Sequence, residues 1–507
     1  MHADRVISPA EASPKPDVTQ SQAVAAVKAR AGGNAVSAFV ALAVIIAATF
    51  IYNGWMLDPR TFFYADDWYW IWDAEFQPWN VYYSIYSILP SAAISDRPVG
   101  VAFLRAFYHL VGVDHWAFQI AFLSLHAVNC MVLYLIAVRY AGRSGALLAA
   151  LLAAVWFSAN PAVSWSSGIF DLLGATMCLL TLLLRQLALK STSVKGILYD
   201  LAGAATYLIA IRTKEFALGI IALLFVVNVL VERQTVRATI KQLVPYLAVF
   251  AICAVRYANL LTTSGPEVGN PYHLDFSVLS IVGNLGYYVR ELFYAEAGGV
   301  HPLAVAGLIA GLGAGIFTAD EKAQRTAVFG IAAFVIMLGP ALLLPKHQDP
   351  LYLYTPHFFF ALVIGALFAK RIMPSIVAAA ASVAIVVAPT ATHFRDYAID
   401  WYVVKGAANQ SMLKSAVGLL TPLDPRATVF ISGVEPYFNP FSASSGNSLR
   451  VAFKNADLAV DVERPEADLM AKFCETPGAK RFLRFKGSQA TEVTGEVEKT
   501  CNRQKQG

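Results

Sequence analysis

The chain has 507 residues, of which 57% are hydrophobic and only 14% charged. Soluble domains carry about 25% charged residues, so an ordinary cytosolic enzyme is excluded, as are a disordered chain and a secreted disulfide scaffold. The net charge of +5 lies largely in short segments between apolar blocks, where it carries topology information and not a nucleic-acid footprint.

Residues 1–35 hold Pro9, Pro14 and Pro16 among Ala, Ser and isolated charges and read as a disordered cytoplasmic tail. No small-residue cleavage site follows the first apolar block, so that block is expected to be retained. Apolar blocks recur at 36–56, 116–138, 145–160, 169–184, 197–211, 216–231, 243–261, 301–319, 326–344, 351–369 and 372–391. They predict an α-helical polytopic membrane protein with about 11 transmembrane helices.

Cations cluster in alternate connections: Arg139 and Arg143; Arg185, Lys190 and Lys195; Arg233, Arg237 and Lys241; Lys322 and Arg325; Lys370 and Arg371. The positive-inside rule places these on the cytoplasmic face. The outer face then receives 57–115, 161–168, 212–215, 262–300, 345–350 and everything after 392. The N-terminus is expected inside and the C-terminal domain outside.

The outer loop 57–115 is dense in aromatics, among them Trp68, Tyr69, Trp70, Trp72 and Trp79. That composition predicts helices at the membrane interface. Segment 276–296 is apolar but contains Arg290 and Glu291, so it reads as an interfacial or re-entrant helix. Gly307, Gly311 and Gly315 form a ridge suited to close helix packing. Residues 393–507 turn polar, with β-like runs at 427–432, 449–453 and 481–485. They predict a mixed α/β extramembrane domain. Of five cysteines, Cys130, Cys178 and Cys253 lie in apolar blocks and read as packing residues. Cys474 and Cys501 lie in the outer domain, where a disulfide is permitted.

Several polar residues are candidates for chemistry. Asp66 and Asp67 are adjacent carboxylates beside the membrane, suited to a general base or a cation site, or else a solvated turn. In Asp96-Arg97-Pro98, Arg97 is either a phosphate-binding fork or a clamp on a neighbouring acid. Asp171 at the mouth of an apolar helix is either functional or a helix N-terminal acid. Arg212, Lys214 and Glu215 put charge on the outer face, which suits an anionic headgroup or snorkelling side chains. Arg256, Arg290, Lys346 and His347 are further outer cations. His126 and Asn129 share a helix face and read as an interhelical hydrogen-bonding pair. No phosphate-binding Gly-rich loop and no Gly-x-Ser-x-Gly motif occurs.

The segments FFYADDW, SDRPVGVAFLRAFYHLVGVDHWAFQIAFLSLHAVN, NPAVSWSSGIFDLLGA, RTKEFALGI and LPKHQDPLYLYTP occur in that order. Together they resemble the protein O-mannosyltransferase-like branch of the GT-C glycosyltransferase superfamily, over roughly residues 40–370. The resemblance implies a GT-C-like transmembrane domain at 36–392 and leaves 393–507 as a separate domain. It implies a polyprenyl-phosphate-linked sugar donor and a glycan, lipid or protein acceptor at the outer face of a bacterial inner membrane. It matches active-site acids to Asp66 and Asp67, an Arg-Pro to Arg97–Pro98 and a Lys-Glu to Lys214–Glu215. Asn160–Pro161 stands where the family has His-Pro, and Gly168-Ile169-Phe170-Asp171 where it has Gly-Arg-Ala-Asp. Leu351-Tyr352-Leu353-Tyr354 replaces Arg-Tyr-Leu-Tyr. The family's tetratricopeptide repeats are missing.

The expected reaction is inverting sugar transfer, with Asp66 or Asp67 as base and Arg97, Arg212 and Lys214 on the donor phosphate. No cofactor is required, and a divalent cation is compatible with the superfamily. The competing readings are a transporter or flippase for a lipid-linked sugar, and a glycan polymerase or ligase. A transferase would keep its acids in the first outer loop; a transporter would put them at mid-membrane.

Overall fold

The computed structural model describes residues 37–78, 97–191, 194–263, 270–293, 302–369, 373–387, 402–435, 439–442, 446–462 and 465–506. The tail at 1–35 lies outside the described residues. The chain divides into two compact units, residues 1–44 and 45–507. The described part of the first, residues 37–44, is helical and apolar. The second unit holds the elements that follow.

Inside a bilayer every backbone N–H and C=O must be satisfied within the chain, so apolar blocks of this length become helices. Among the described residues five helices are long and apolar enough to cross a membrane: His115–Val155, Ser166–Lys190, Val194–Ile211, Glu321–Leu343 and Pro350–Phe368. A sixth is counted if Val236–Gln242 and Val244–Val255, bent by 69°, form one broken span. Glu215–Val231 and Val305–Thr318 are apolar but shorter.

The 41-residue helix His115–Val155 turns back on itself. His126 Nε2 lies 3.4 Å from Ala154 O, although 28 residues of straight helix would span about 42 Å. The reversal falls at Gly142, whose φ of 64° is open to glycine at little steric cost. Its two arms correspond to the blocks at 116–138 and 145–160. The second arm meets Tyr354–Phe368 closely, and a methyl on Gly145 or Gly365 would strike the other's carbonyl oxygen. Small residues permit such backbone approach where helices pack in lipid. In the Gly ridge, Gly311 faces the backbone of Ala378 and Gly315 faces Leu367, while Gly307 faces open space.

His126 and Asn129 do share an interhelical partner. Tyr354 Oη lies 2.9 Å from His126 Nδ1 and accepts from Asn129 Nδ2 at 3.0 Å. Thr176 Oγ1 donates to Asn129 Oδ1 at 2.7 Å. This buried network ties three helices in one register.

Three connections grouped by the charge alternation meet at one end of the helices. Arg139 pairs with Glu232 and Arg233 with Glu321. Lys322 Nζ donates to Arg139 O at 2.9 Å, and Arg325 Nη1 to Leu230 O at 3.1 Å. Val278–Leu292 is a helix of 15 residues, too short to cross a bilayer upright.

The C-terminal sheet has the order β2-β1-β3-β4. Its strands are β1 Thr428–Ser432, β2 Ala459–Asp461, β3 Lys480–Lys486 and β4 Gln489–Glu492. β1 is parallel to β2 and β3, and β4 is antiparallel to β3. The expected strands at 427–432 and 481–485 are present. The one at 449–453 is not: this stretch belongs to the helix Asn447–Ala452. Leu449 and Phe453 stand i,i+4 apart, so the run fits a helical face as well as a strand. Phe430, Phe473 and Phe482 centre the core. Cys474 and Cys501 form a disulfide with Cα atoms 5.4 Å apart, joining the helices Glu466–Glu475 and Thr494–Gln506.

Candidate active site

Asp67 opens the helix Asp67–Phe76, where the helix dipole favours a carboxylate. It is 1% exposed. Its Oδ1 accepts from Ser167 N at 2.8 Å and Ser167 Oγ at 2.9 Å, and its Oδ2 accepts from Tyr64 N at 3.2 Å. Desolvation pushes its pKa up to about 7, against the pull of those hydrogen bonds. The side chain fastens the segment Tyr64–Asp67 to the Ser166–Gly168 turn. Asp66, its neighbour, is exposed. It lies within electrostatic reach of Tyr272, on whose hydroxyl Arg97 and Glu215 also act.

A ring of four alternating charges sits alongside. Arg97 precedes the helix Pro98–Val111, with Pro98 at its first position. Its Nε and Nη2 donate to Glu215 Oε1 at 2.8 and 2.5 Å. Its guanidinium carbon lies 5.6 Å from the centre of the Phe170 ring. Lys214 Nζ donates to Asp171 Oδ2 at 2.9 Å, with the two side chains 6% and 3% exposed. The same ammonium lies 5.4 Å from the centre of the Tyr352 ring. Asp171 is in the first turn of Ile169–Lys190, and Glu215 opens the short helix Glu215–Gly219.

These four residues line one part of a cavity of about 520 Å³. Tyr257, Tyr272 and Tyr352 add polar tips, and Phe216, Ile336, Met337 and Leu343 are among the apolar walls. His347 stands beside it, its ring 4.3 Å from that of Tyr272 and 6.0 Å from that of Tyr352. Desolvation lowers its pKa, Asp349 opposes, and Lys214 and Arg97 lower it further.

The structure therefore gathers Arg97, Asp171, Lys214 and Glu215 at the cavity, with His347 beside it and Asp66 within reach of Tyr272. Asp67 is buried in hydrogen bonds to the adjoining turn. Arg212 is buried, its carbonyl accepts from Val99 N at 3.3 Å, and it is not among the cavity-lining residues. Arg290 is exposed near the end of its helix and does not line the cavity either. Asp96 and the side chain of Arg256 lie outside the described residues. Tyr257 and Tyr272 escaped sequence reasoning because an isolated Tyr in an apolar or loop segment has no distinguishing pattern. Among the described residues no group of three or more His, Cys, Asp or Glu is arranged to hold a metal ion.

No family model matches the chain, and no curated protein matches it. Solved structures do. ArnT from Cupriavidus metallidurans bound to undecaprenyl phosphate superposes with a TM-score of 0.50 at 12% identity, over 88% of this chain and 92% of that one. This chain shares its overall fold with that protein. The apo form of the same ArnT gives a TM-score of 0.48 at 14% identity, over 90% of this chain and 93% of that one. An oligosaccharyltransferase from Archaeoglobus fulgidus gives 0.45 at 11%, over 85% and 64%. At these identities the likeness concerns the fold alone, and the O-mannosyltransferase-like branch gains no support from these neighbours.

Proposed function

We propose that the protein is a membrane glycosyltransferase that moves a sugar from a polyprenyl-phosphate donor to an acceptor hydroxyl at the outer face of a bacterial inner membrane. The observation that carries this reading is the cavity of about 520 Å³ that joins apolar walls to Arg97 and Lys214. A prenyl chain matches the walls, and a phosphate matches the cations. ArnT, whose fold is similar, has been crystallised with undecaprenyl phosphate. The acids of the first outer loop favour transfer over transport, and the alternating charges stand at helix ends.

In this reading Asp66 is the base, because it is exposed while both Asp67 oxygens are engaged. The acceptor hydroxyl gives its proton to Asp66 as its oxygen attacks the anomeric carbon. The bond from that carbon to the phosphate oxygen breaks, and the electron pair leaves on the phosphate, with inversion. Arg97 and Lys214 stabilise the departing charge, held in place by Glu215 and Asp171. Asp67 positions the loop. No step of this reading is routed through a divalent cation. The acceptor is a glycan, lipid or protein hydroxyl.

The test is transfer from a labelled polyprenyl-phosphate sugar by purified protein in detergent. Arg97→Lys keeps the charge and loses the planar fork, so transfer should fall at least tenfold with the fold retained. Full activity in that variant, or no transfer from any polyprenyl-phosphate sugar by the wild type, overturns the reading.

A further inference from the structure

At the opposite end of the helices lies a second cleft of about 360 Å³. Four of its lining residues are cations, Arg139, Arg233, Lys322 and Arg325, against the single carboxylate of Glu232. Glu321 adjoins it, pairing with Arg233 and, at 2.7 Å, with Arg325. The four cations less these two carboxylates leave a surplus of two positive charges. We propose that this cleft binds the phosphate headgroup of an anionic membrane lipid.

Its position points to a lipid. The helix Glu321–Leu338 begins with Lys322 and Arg325 at the cleft and ends with Met337 and Leu338 in the wall of the sugar-site cavity. From Lys322 to Leu338 the helix rises about 24 Å, most of the hydrocarbon thickness of a bilayer. One end at the outer interface puts the other at the inner headgroups. Arg139 Nη1 donates to Gln186 O at 3.3 Å, near the end of Ile169–Lys190 remote from Asp171. Exposed apolar side chains follow the cleft cations in the chain: Val236, three residues past Arg233, is 52% exposed, and Val328, one turn beyond Arg325, is 44% exposed. Cations with adjoining apolar surface suit a headgroup with its acyl chains.

The backbone adds a separate observation. Arg233 has φ 57°, a left-handed conformation favoured by glycine and asparagine. It directly follows the π-helical turn Val227–Val231 and Glu232, and π-turns occur often at functional sites. A cation therefore occupies a strained position on the cleft, where the local geometry alone calls for glycine.

The experiment uses the delipidated full chain in neutral detergent. Phosphatidylglycerol, phosphatidylcholine and inorganic phosphate are titrated separately while thermal unfolding is followed. Phosphatidylglycerol should raise the unfolding temperature, and the other two should not. Arg233→Gln with Lys322→Gln should weaken the phosphatidylglycerol response at least tenfold in concentration. Arg237→Gln with Lys241→Gln, which removes two cations outside the cleft, should leave it unchanged. Equal responses from wild type and the cleft variant, equal loss in the control variant, or an equal response to inorganic phosphate each overturn the proposal. Native mass spectrometry of the wild type covers failure of the cleft variant to fold: retention of phosphatidylglycerol no greater than that of phosphatidylcholine also overturns it.

Discussion

Lys214 and Asp171 form a buried ion pair at 2.9 Å, joining residues 43 apart in the sequence. Desolvating two charges is costly, and their attraction offsets that cost only while both are present. The pair fixes the Lys214 ammonium against the Tyr352 ring and at the cavity. Arg97 and Glu215 form a second, less buried pair over 118 residues, so two cations are positioned by two carboxylates from different elements.

The first prediction separates fold from chemistry at this pair. Lys214→Ala leaves Asp171 buried without its counter-charge and should destabilise the protein by about 3–5 kcal/mol. The double variant Lys214→Met with Asp171→Leu removes both charges and should recover most of the unfolding temperature. It should not recover sugar transfer. Recovery of both would make the pair purely structural.

The second concerns the adjacent acids. Asp66→Asn should lower transfer by about 10²-fold or more, as expected on losing a positioned base, with unfolding unchanged. Asp67→Ala should instead destabilise by about 1–3 kcal/mol, because the Ser167 and Tyr64 donors lose their acceptor. Wild-type transfer rates in Asp66→Asn would refute its role as base.

A pH dependence follows for Asp67. Its pKa rises from an ordinary 3.8 to about 7 on folding, so between those values the folded chain binds more protons than the unfolded one. Stability contributed by this group is therefore present below pH 4 and lost as pH climbs towards 7, by roughly a few kcal/mol in all. Unfolding temperatures of wild type and Asp67→Asn, compared from pH 4 to 8, should diverge over that window. Parallel curves would contradict the assignment.

The fourth prediction uses the cysteines. Cys130, Cys178 and Cys253 are free and buried, while Cys474 and Cys501 are bridged. Thiol labelling of the unreduced, denatured chain should therefore count three of the five. Replacing Cys474 and Cys501 by Ser should cost about 3–4 kcal/mol of stability in the C-terminal sheet region by the chain-entropy model.

Topology supplies the fifth. A reporter fused after Arg371 should read cytoplasmic, and one fused after residue 400 should read exterior. The reverse pair of results would put Asp66 and the cavity on the wrong side for an outer-face acceptor.

Much of this protein is legible in order of its residues. Hydrophobicity summed over a window of about 20 residues decides what enters a bilayer. The helical character of the apolar blocks could therefore be read directly, and Arg139, Arg233, Lys322 and Arg325, from three of the five grouped connections, do meet at one end. Among the described residues, however, five or six spans are long and apolar enough to cross a membrane, not eleven. Two strands of the C-terminal sheet were also readable, but 449–453 was not, because a five-residue apolar run fits either period. What only the tertiary structure decided is which partner each charge takes. Asp66 and Asp67 look equivalent in sequence, yet successive positions on a helix diverge by about 100°, so one carboxylate is buried against Ser167 and the other is exposed. Arg212 and Lys214 look alike as well, yet Lys214 lines the cavity and Arg212 does not. Tyr272 joins the site only through space: it lines the cavity, and its ring centre lies 4.3 Å from that of His347. Contacts of this kind depend on approach in space between segments far apart in the chain, and no local window of sequence contains them.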